Sequence, residues 1–244
     1  MLRAVFACVV FVVTTLGLGL PAFLVSLLRP RSDITMKAGR LWSRALLWAV
    51  GARVEYVGLE HARSRLPCIF IANHQSSVDI WALVSVLPAP TRFVAKQSLF
   101  RLPVLGWAMA AGGFISIDRA DRARAIRSLH IAAERVRSGR PVILFAEGTR
   151  SRDGTLRPFK KGPFHLALAA RVPVVPVAIS GSWEVLRPGT ARLRPGPVRV
   201  EFLPPLDVTG FLPSDHEGLL REVHGRLERA LRAAPDPSRS GPEE

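Results

Sequence analysis

A chain of 244 residues fits one domain with ample apolar material for a core, plus an N-terminal appendage. Its 34 Lys and Arg against 19 Asp and Glu leave a formal charge of +15. That favours an anionic partner: nucleic acid, anionic lipid or a phosphorylated substrate. Thirty of the cations are Arg and four are Lys, a bias that genome composition alone can produce, so the location of the basic residues says more than their sum. The two cysteines, Cys8 and Cys68, make no CxxC or disulfide framework. They read as small buried apolar residues compatible with a reducing compartment.

From residue 4 to residue 28 no charge interrupts 25 residues, more than the roughly 20 that a hydrocarbon core requires. A cleaved signal peptide has a shorter apolar core, about 7–15 residues, followed by a small-residue cleavage site. Here the apolar run continues through Pro21 to Leu28, so a retained membrane anchor is expected. Only Arg3 precedes the run, whereas Arg29, Arg31, Lys37, Arg40 and Arg44 come after it. By the positive-inside rule the remainder lies on the cytoplasmic side of the cell's inner membrane. Residues 41–50 mix Trp and Leu with Arg, which suits either an interfacial helix or a core-packing one.

From residue 53 on, apolar strands alternate with helices. Strands are predicted at 54–57, 68–72, 92–95, 114–117, 142–145, 174–179 and 198–202. Helices are predicted at 79–87, 121–138, 162–170 and 214–233. This alternation predicts an α/β domain with a mixed, mostly parallel sheet flanked by helices. The expected organisation is an anchor and interfacial helix over 1–50, one domain over 51–233, and a disordered Pro- and Ser-rich tail over 234–244.

In such sheets ligands gather beyond the carboxyl ends of strands, and three strand-exit regions carry unusual residues. After 68–72 comes Asn73-His74-Gln75-Ser76-Ser77-Val78-Asp79. On one helix His74 and Asp79 would lie about 140° apart. They meet only if His74 is on the loop and Asp79 opens the next helix, where a carboxylate can fix the imidazole tautomer for general-base work. Ser76-x-x-Asp79 before an apolar run also fits a capping box, and both roles can coexist. After 142–145 comes Ala146-Glu147-Gly148-Thr149-Arg150. It is either a phosphate cradle with a tight turn at Gly148, a hydroxyl at Thr149 and a guanidinium fork at Arg150, or simply a polar connection. The strand at 114–117 ends in Asp118-Arg119, a surface ion pair or a second anion site. The histidines show no spacing for a metal site, and no nucleic-acid-binding module is recognisable.

Together these blocks resemble the glycerolipid acyltransferase family. The resemblance rests on His-x4-Asp (Asn73, His74, Ser76, Asp79), on Gly113 to Arg119, on Phe145 to Ser151 and on the apolar stretch 172–177. Lys96 to Leu99 and Phe159-Lys160-x-Gly162 also match, and the blocks run in family order across residues 50–205. Two departures are Ala146, where the family has Pro, and Ser98, where many members have Glu.

The resemblance implies an O-acyltransferase of phospholipid biosynthesis that moves an acyl chain from acyl-CoA or acyl carrier protein, as co-substrate, to the sn-2 hydroxyl of a lysophosphatidic acid. His74 and Asp79 would be catalytic, and Lys96, Arg119, Glu147, Gly148, Thr149 and Arg150 would bind substrate. No cofactor, metal or nucleic acid is implied. The other acceptors that fit are glycerol-3-phosphate and other lysolipids. A non-catalytic protein holding anionic lipid would explain the charge but would not require both His74 and Asp79.

Overall fold

The computed structural model describes residues 2–29, 33–118 and 120–235. All but two residues of the tail expected at 234–244 lie outside them, as does Arg119. A seven-stranded sheet forms the middle layer. Its strands are β1 (Ala52–Val57), β2 (Ile69–Ala72), β3 (Arg92–Lys96), β4 (Ile115–Ile117), β5 (Val142–Phe145), β6 (Val174–Ser180) and β7 (Gly196–Phe202), in the spatial order β1-β7-β6-β2-β5-β3-β4. Every neighbouring pair is parallel except β6 with β7, so the expected mixed, mostly parallel sheet is what forms. All seven predicted strands appear, with ends shifted by at most two residues.

The central strands are apolar throughout because both faces of the sheet are covered. Phe70, Ala72, Ile143, Phe145, Val175 and Val177 face one core, together with α3 (Ile34–Val50) and α5 (Val78–Val86). Ile69, Ile71, Val142, Leu144, Val174 and Ala178 face the other, under α7 (Arg122–Arg137), α8 (Gly162–Ala170) and α10 (His216–Ala233). The alternation of neighbours between two cores is the period of two of a strand. The short helices α4 (His61–Ser64), α6 (Leu105–Ala111) and α9 (Ser182–Val185), and a 3₁₀ turn at Gln97–Arg101, are additions to the predicted elements. The segment of α6 begins after Pro103 and ends at Gly112-Gly113, and Gly106 interrupts it. No predicted element covers this segment; in the fold Gly106 lies against the carbonyl of Phe100, where no side chain fits.

The apolar run forms one continuous helix over Leu2–Leu28, built from α1 (Leu2–Thr14), a π-helical turn at Thr15–Gly19 and α2 (Leu20–Leu28). Its outward face is apolar and exposed, and by length and composition the helix suits association with a membrane. Its inward face lies along the domain. Phe6 meets Trp48 edge to face at 5.3 Å, and Phe11 meets Trp42 at 5.8 Å. The indole N–H of Trp42 donates to the Thr15 hydroxyl at 3.0 Å. Phe23 meets Trp107 of α6 at 5.9 Å. The expected anchor is therefore also a wall of the domain. Helix α3 begins earlier than residue 41 and packs as a core helix through Leu46, Leu47 and Val50, while Leu41 and Trp48 are exposed. One expectation needs correcting. Cys8 is exposed on α1 and only Cys68 is buried, because no part of the domain covers the outward face of α1.

Candidate active site

The strand β2 ends at Ala72, and Asn73 fixes the course of the chain beyond it. Its side-chain amide donates to the Ile179 carbonyl and accepts from the Ile179 N–H, both at 2.8 Å. This pair of bonds pins the strand exit to β6. His74 then sits on the loop while Asp79 lies in the first turn of α5. The two side chains meet, Nδ1 of His74 to Oδ2 of Asp79 at 2.8 Å. A carboxylate only accepts, so Nδ1 carries a proton, and in the neutral imidazole Nε2, across the ring, keeps its lone pair.

Asp79 is fully buried. The same Oδ2 also accepts the N–H of Gln75 at 2.7 Å and of Ser76 at 2.8 Å. Reaching back three residues to Ser76 is the acidic half of a capping box, and the Ser76 hydroxyl accepts from Val78 N–H at 3.2 Å. The capping reading and the His-orienting reading thus hold together. Phe145 stacks on the imidazole, with centroids 3.8 Å apart and planes 10° from parallel, so the ring is fixed in tilt as well as in direction.

The second loop leaves β5 beside it. Ala146 donates its N–H to the Ala72 carbonyl at 2.9 Å, a ladder bond that a proline at this position could not make. Glu147 turns inward: its Oε1 accepts the His74 backbone N–H at 2.8 Å. It is not part of the cavity wall, so its carboxylate lies behind His74 and not in the substrate space expected for it. Burial, the largest cause, pushes its pKa up to about 7 from 4.5, against hydrogen bonding from the His74 backbone. Gly148 takes φ 71°, a left-handed turn that a side chain would strain, and the chain comes back out. Thr149 and Arg150 come next, and the Arg150 guanidinium donates to the Ser77 hydroxyl at 2.9 Å.

A cavity of about 700 Å³ opens here, within the range of small-molecule sites. His74, Phe145, Gly148, Thr149, Arg150 and Lys96 line its polar end. The rest is apolar and runs between α3, α5 and α6 on one side and the anchor helix on the other, where Thr15, Gly19 and Ala22 form the wall. Of the expected site residues, His74, Asp79, Gly148, Thr149, Arg150 and Lys96 are brought together at or just behind this space. Glu147 supports it from below, and Arg119 lies outside the described residues.

Sequence reasoning gives Ser77, Phe145 and the anchor wall no role. Thr15, Gly19 and Ala22 stand at i, i+4 and i+7, a stripe of small residues that marks one helix face and is the signal available for that wall. Among the described residues no three His, Cys, Asp or Glu cluster as metal ligands.

The arrangement pairs a carboxylate-oriented imidazole with cations at the mouth of a long apolar cavity. It can activate a hydroxyl beside an anionic group while holding a hydrocarbon chain. Comparison with known proteins agrees with this chemistry. The sequence pattern of the Acyltransferase family matches residues 53–180. A 1-acyl-sn-glycerol-3-phosphate acyltransferase of Limnanthes douglasii is 34% identical over 96% of this chain and 83% of its own length. The human 1-acyl-sn-glycerol-3-phosphate acyltransferase alpha is 33% identical over 93% of this chain and 80% of its own. The crystal structure of the 1-acyl-sn-glycerophosphate (LPA) acyltransferase PlsC from Thermotoga maritima superposes with a TM-score of 0.83 at 28% identity, covering 96% of this chain and 97% of that one. The chain belongs to the acyltransferase family and is an O-acyltransferase.

Proposed function

We propose that the protein transfers an acyl chain from an acyl thioester to the sn-2 hydroxyl of 1-acyl-sn-glycerol-3-phosphate, giving phosphatidic acid. It would do so at the cytoplasmic face of the cell's inner membrane. The observation that carries this reading is the His74–Asp79 pair at the polar end of the cavity, with Arg150 and Lys96 beside it. The names of the relatives point to the same acceptor.

In this reading Nε2 of His74 takes the proton as the acceptor oxygen attacks the thioester carbonyl. The new C–O bond forms, the C–S bond breaks, and the proton passes from His74 to the departing thiolate. Asp79 holds the tautomer and stabilises the imidazolium. Arg150 grips the acceptor phosphate through charge-assisted hydrogen bonds, with Lys96 adding positive charge and Gly148 and Thr149 shaping the turn around it. The acyl chain lies in the apolar part of the cavity against Thr15, Gly19 and Ala22. The anchor helix, packed along the domain from Phe6 to Phe23, puts this wall at the lipid level, so a lysolipid reaches His74 without leaving the bilayer surface.

The test is transfer from labelled oleoyl-CoA by purified protein in mixed micelles to lysophosphatidic acid, glycerol-3-phosphate and lysophosphatidylcholine, each in parallel with a blank. Product with lysophosphatidic acid alone is expected. Transfer only to another acceptor would overturn the acceptor and keep the mechanism. No transfer from either oleoyl-CoA or oleoyl-acyl carrier protein by folded protein would end this reading.

A further inference from the structure

Beyond the cavity mouth, on the same edge of the sheet, the chain builds a basic rim that the reaction above does not use. Residues 187–195 hold Arg187, Arg192 and Arg194 and no acidic residue, and all three side chains are exposed. Their segment is a short hairpin. Leu186 bridges antiparallel to Leu193, and Arg194 N–H donates to the Val185 carbonyl at 3.0 Å. None of the three forms an ion pair among the described residues.

The hairpin is fastened to the reacting centre. The Ser76 hydroxyl, two residues from His74, donates to the Leu186 carbonyl at 2.7 Å. The Arg187 guanidinium lies 3.9 Å over the ring of Trp183, and the Trp183 indole N–H donates to the Arg152 carbonyl at 3.1 Å. Arg152 is also exposed. The four arginines thus stand on two loops that share hydrogen bonds with the His74 loop, yet none of them lines the cavity.

Two features decide what such a rim fits. A nucleotide is ordinarily held in a concave site with a few buried polar groups, whereas these arginines project from a hairpin and a loop tip. The indole that could stack a base is already taken, with Arg187 over it and the Gly154 backbone packed against it. Separated, outward, acid-free guanidinium groups suit an acidic protein surface, since each fork can take a carboxylate.

We propose that Arg152, Arg187, Arg192 and Arg194 form the docking surface for an acyl carrier protein, the carrier of the thioester in the reaction proposed above. The proposal rests on the acyl-transfer reading of the same site and names its donor.

The test compares oleoyl-acyl carrier protein with oleoyl-CoA as donors to lysophosphatidic acid, using full-length wild type and the triple variant Arg187→Glu, Arg192→Glu, Arg194→Glu. With the carrier protein, kcat/KM of the variant should fall about tenfold or more, mainly through KM, and the salt sensitivity of the wild type should vanish. With oleoyl-CoA it should stay within about twofold, since these rim charges are remote from the chemistry. The corresponding triple Gln variant should fall between.

Equal loss with both donors, no loss with either, or a wild type that refuses the carrier protein would overturn the proposal. So would a variant whose one defect is weaker partition onto phosphatidylglycerol vesicles, which would give the rim to the membrane surface. If wild type transfers from neither donor, the acyl-transfer reading fails first. Titration of labelled carrier protein onto wild type and variant then still decides the docking surface, with equal affinity for the two overturning it.

Discussion

The two ends of the cavity are built by opposite means. At the polar end, nearly every group is held by hydrogen bonds. Asn73 clamps the strand exit, Asp79 gathers His74, Gln75 and Ser76, Glu147 takes the His74 N–H, and Phe145 fixes the ring. At the apolar end, the anchor helix leans on the domain through a few aromatic contacts and a stripe of small residues. Directional bonds give the imidazole one position, which proton transfer needs. Nondirectional packing gives a wall whose shape is set by side-chain volume, which suits a flexible chain. Chemistry and chain selection should therefore be separable by mutation.

The sharpest break is His74→Ala. Removing the base should lower turnover by about 10³-fold or more with little loss of folding, read from micelle assays beside circular dichroism. Normal turnover by the folded variant would sink the base assignment. Next, Arg150→Ala removes a charge-assisted contact worth about 1.5–3 kcal/mol. We expect KM for lysophosphatidic acid to rise about ten- to a hundredfold with kcat less affected, and an unchanged KM would remove Arg150 from the phosphate site.

On the apolar side, Ala22→Phe fills part of the wall. Relative kcat/KM should shift towards shorter acyl chains by several-fold, about what a few lost methylene contacts carry, while the pH profile stays as in wild type. An unaltered chain preference would mean that the acyl chain lies elsewhere.

The smallest effect tests the support beneath His74. Glu147 has a folded pKa raised to about 7 from 4.5. Its contribution to stability is thus fully present below pH 4.5, where it is neutral in both states. That contribution is lost as pH rises through about 7. Glu147→Gln keeps an acceptor for the His74 N–H and cannot ionise. Activity should remain within several-fold, and the fall in thermal midpoint expected of wild type between about pH 5 and 7.5 should flatten. A slope unchanged in the variant would show that another group causes it.

Much of this was legible in the chain. The strands at the centre of the sheet are continuous apolar runs bounded by Gly, Pro and polar loops, so local composition locates them. His74, Asp79 and Arg150 stood out because polar residues on strand exits are unusual against such neighbours. Arg119 was legible as half of an Asp-Arg pair at a strand exit, and it lies outside the described residues. What composition did not report was direction. Glu147 and Arg150 are three residues apart in one loop, yet one turns in behind His74 and the other out to the cavity. The left-handed turn at Gly148 between them sets this, and the sequence alone shows only that such a turn is allowed.

The sequence by itself determined the alternation of strands and helices, the membrane-seeking face and the residue types capable of the chemistry, because periodicity, length and side-chain chemistry are local properties. Only the tertiary structure decided that the anchor is also the wall of the cavity, that Phe145 stacks on His74, and that a hairpin more than a hundred residues along the chain is bonded to the His74 loop. Those are contacts between segments far apart in the chain, and their geometry exists only once the sheet has set the spacing.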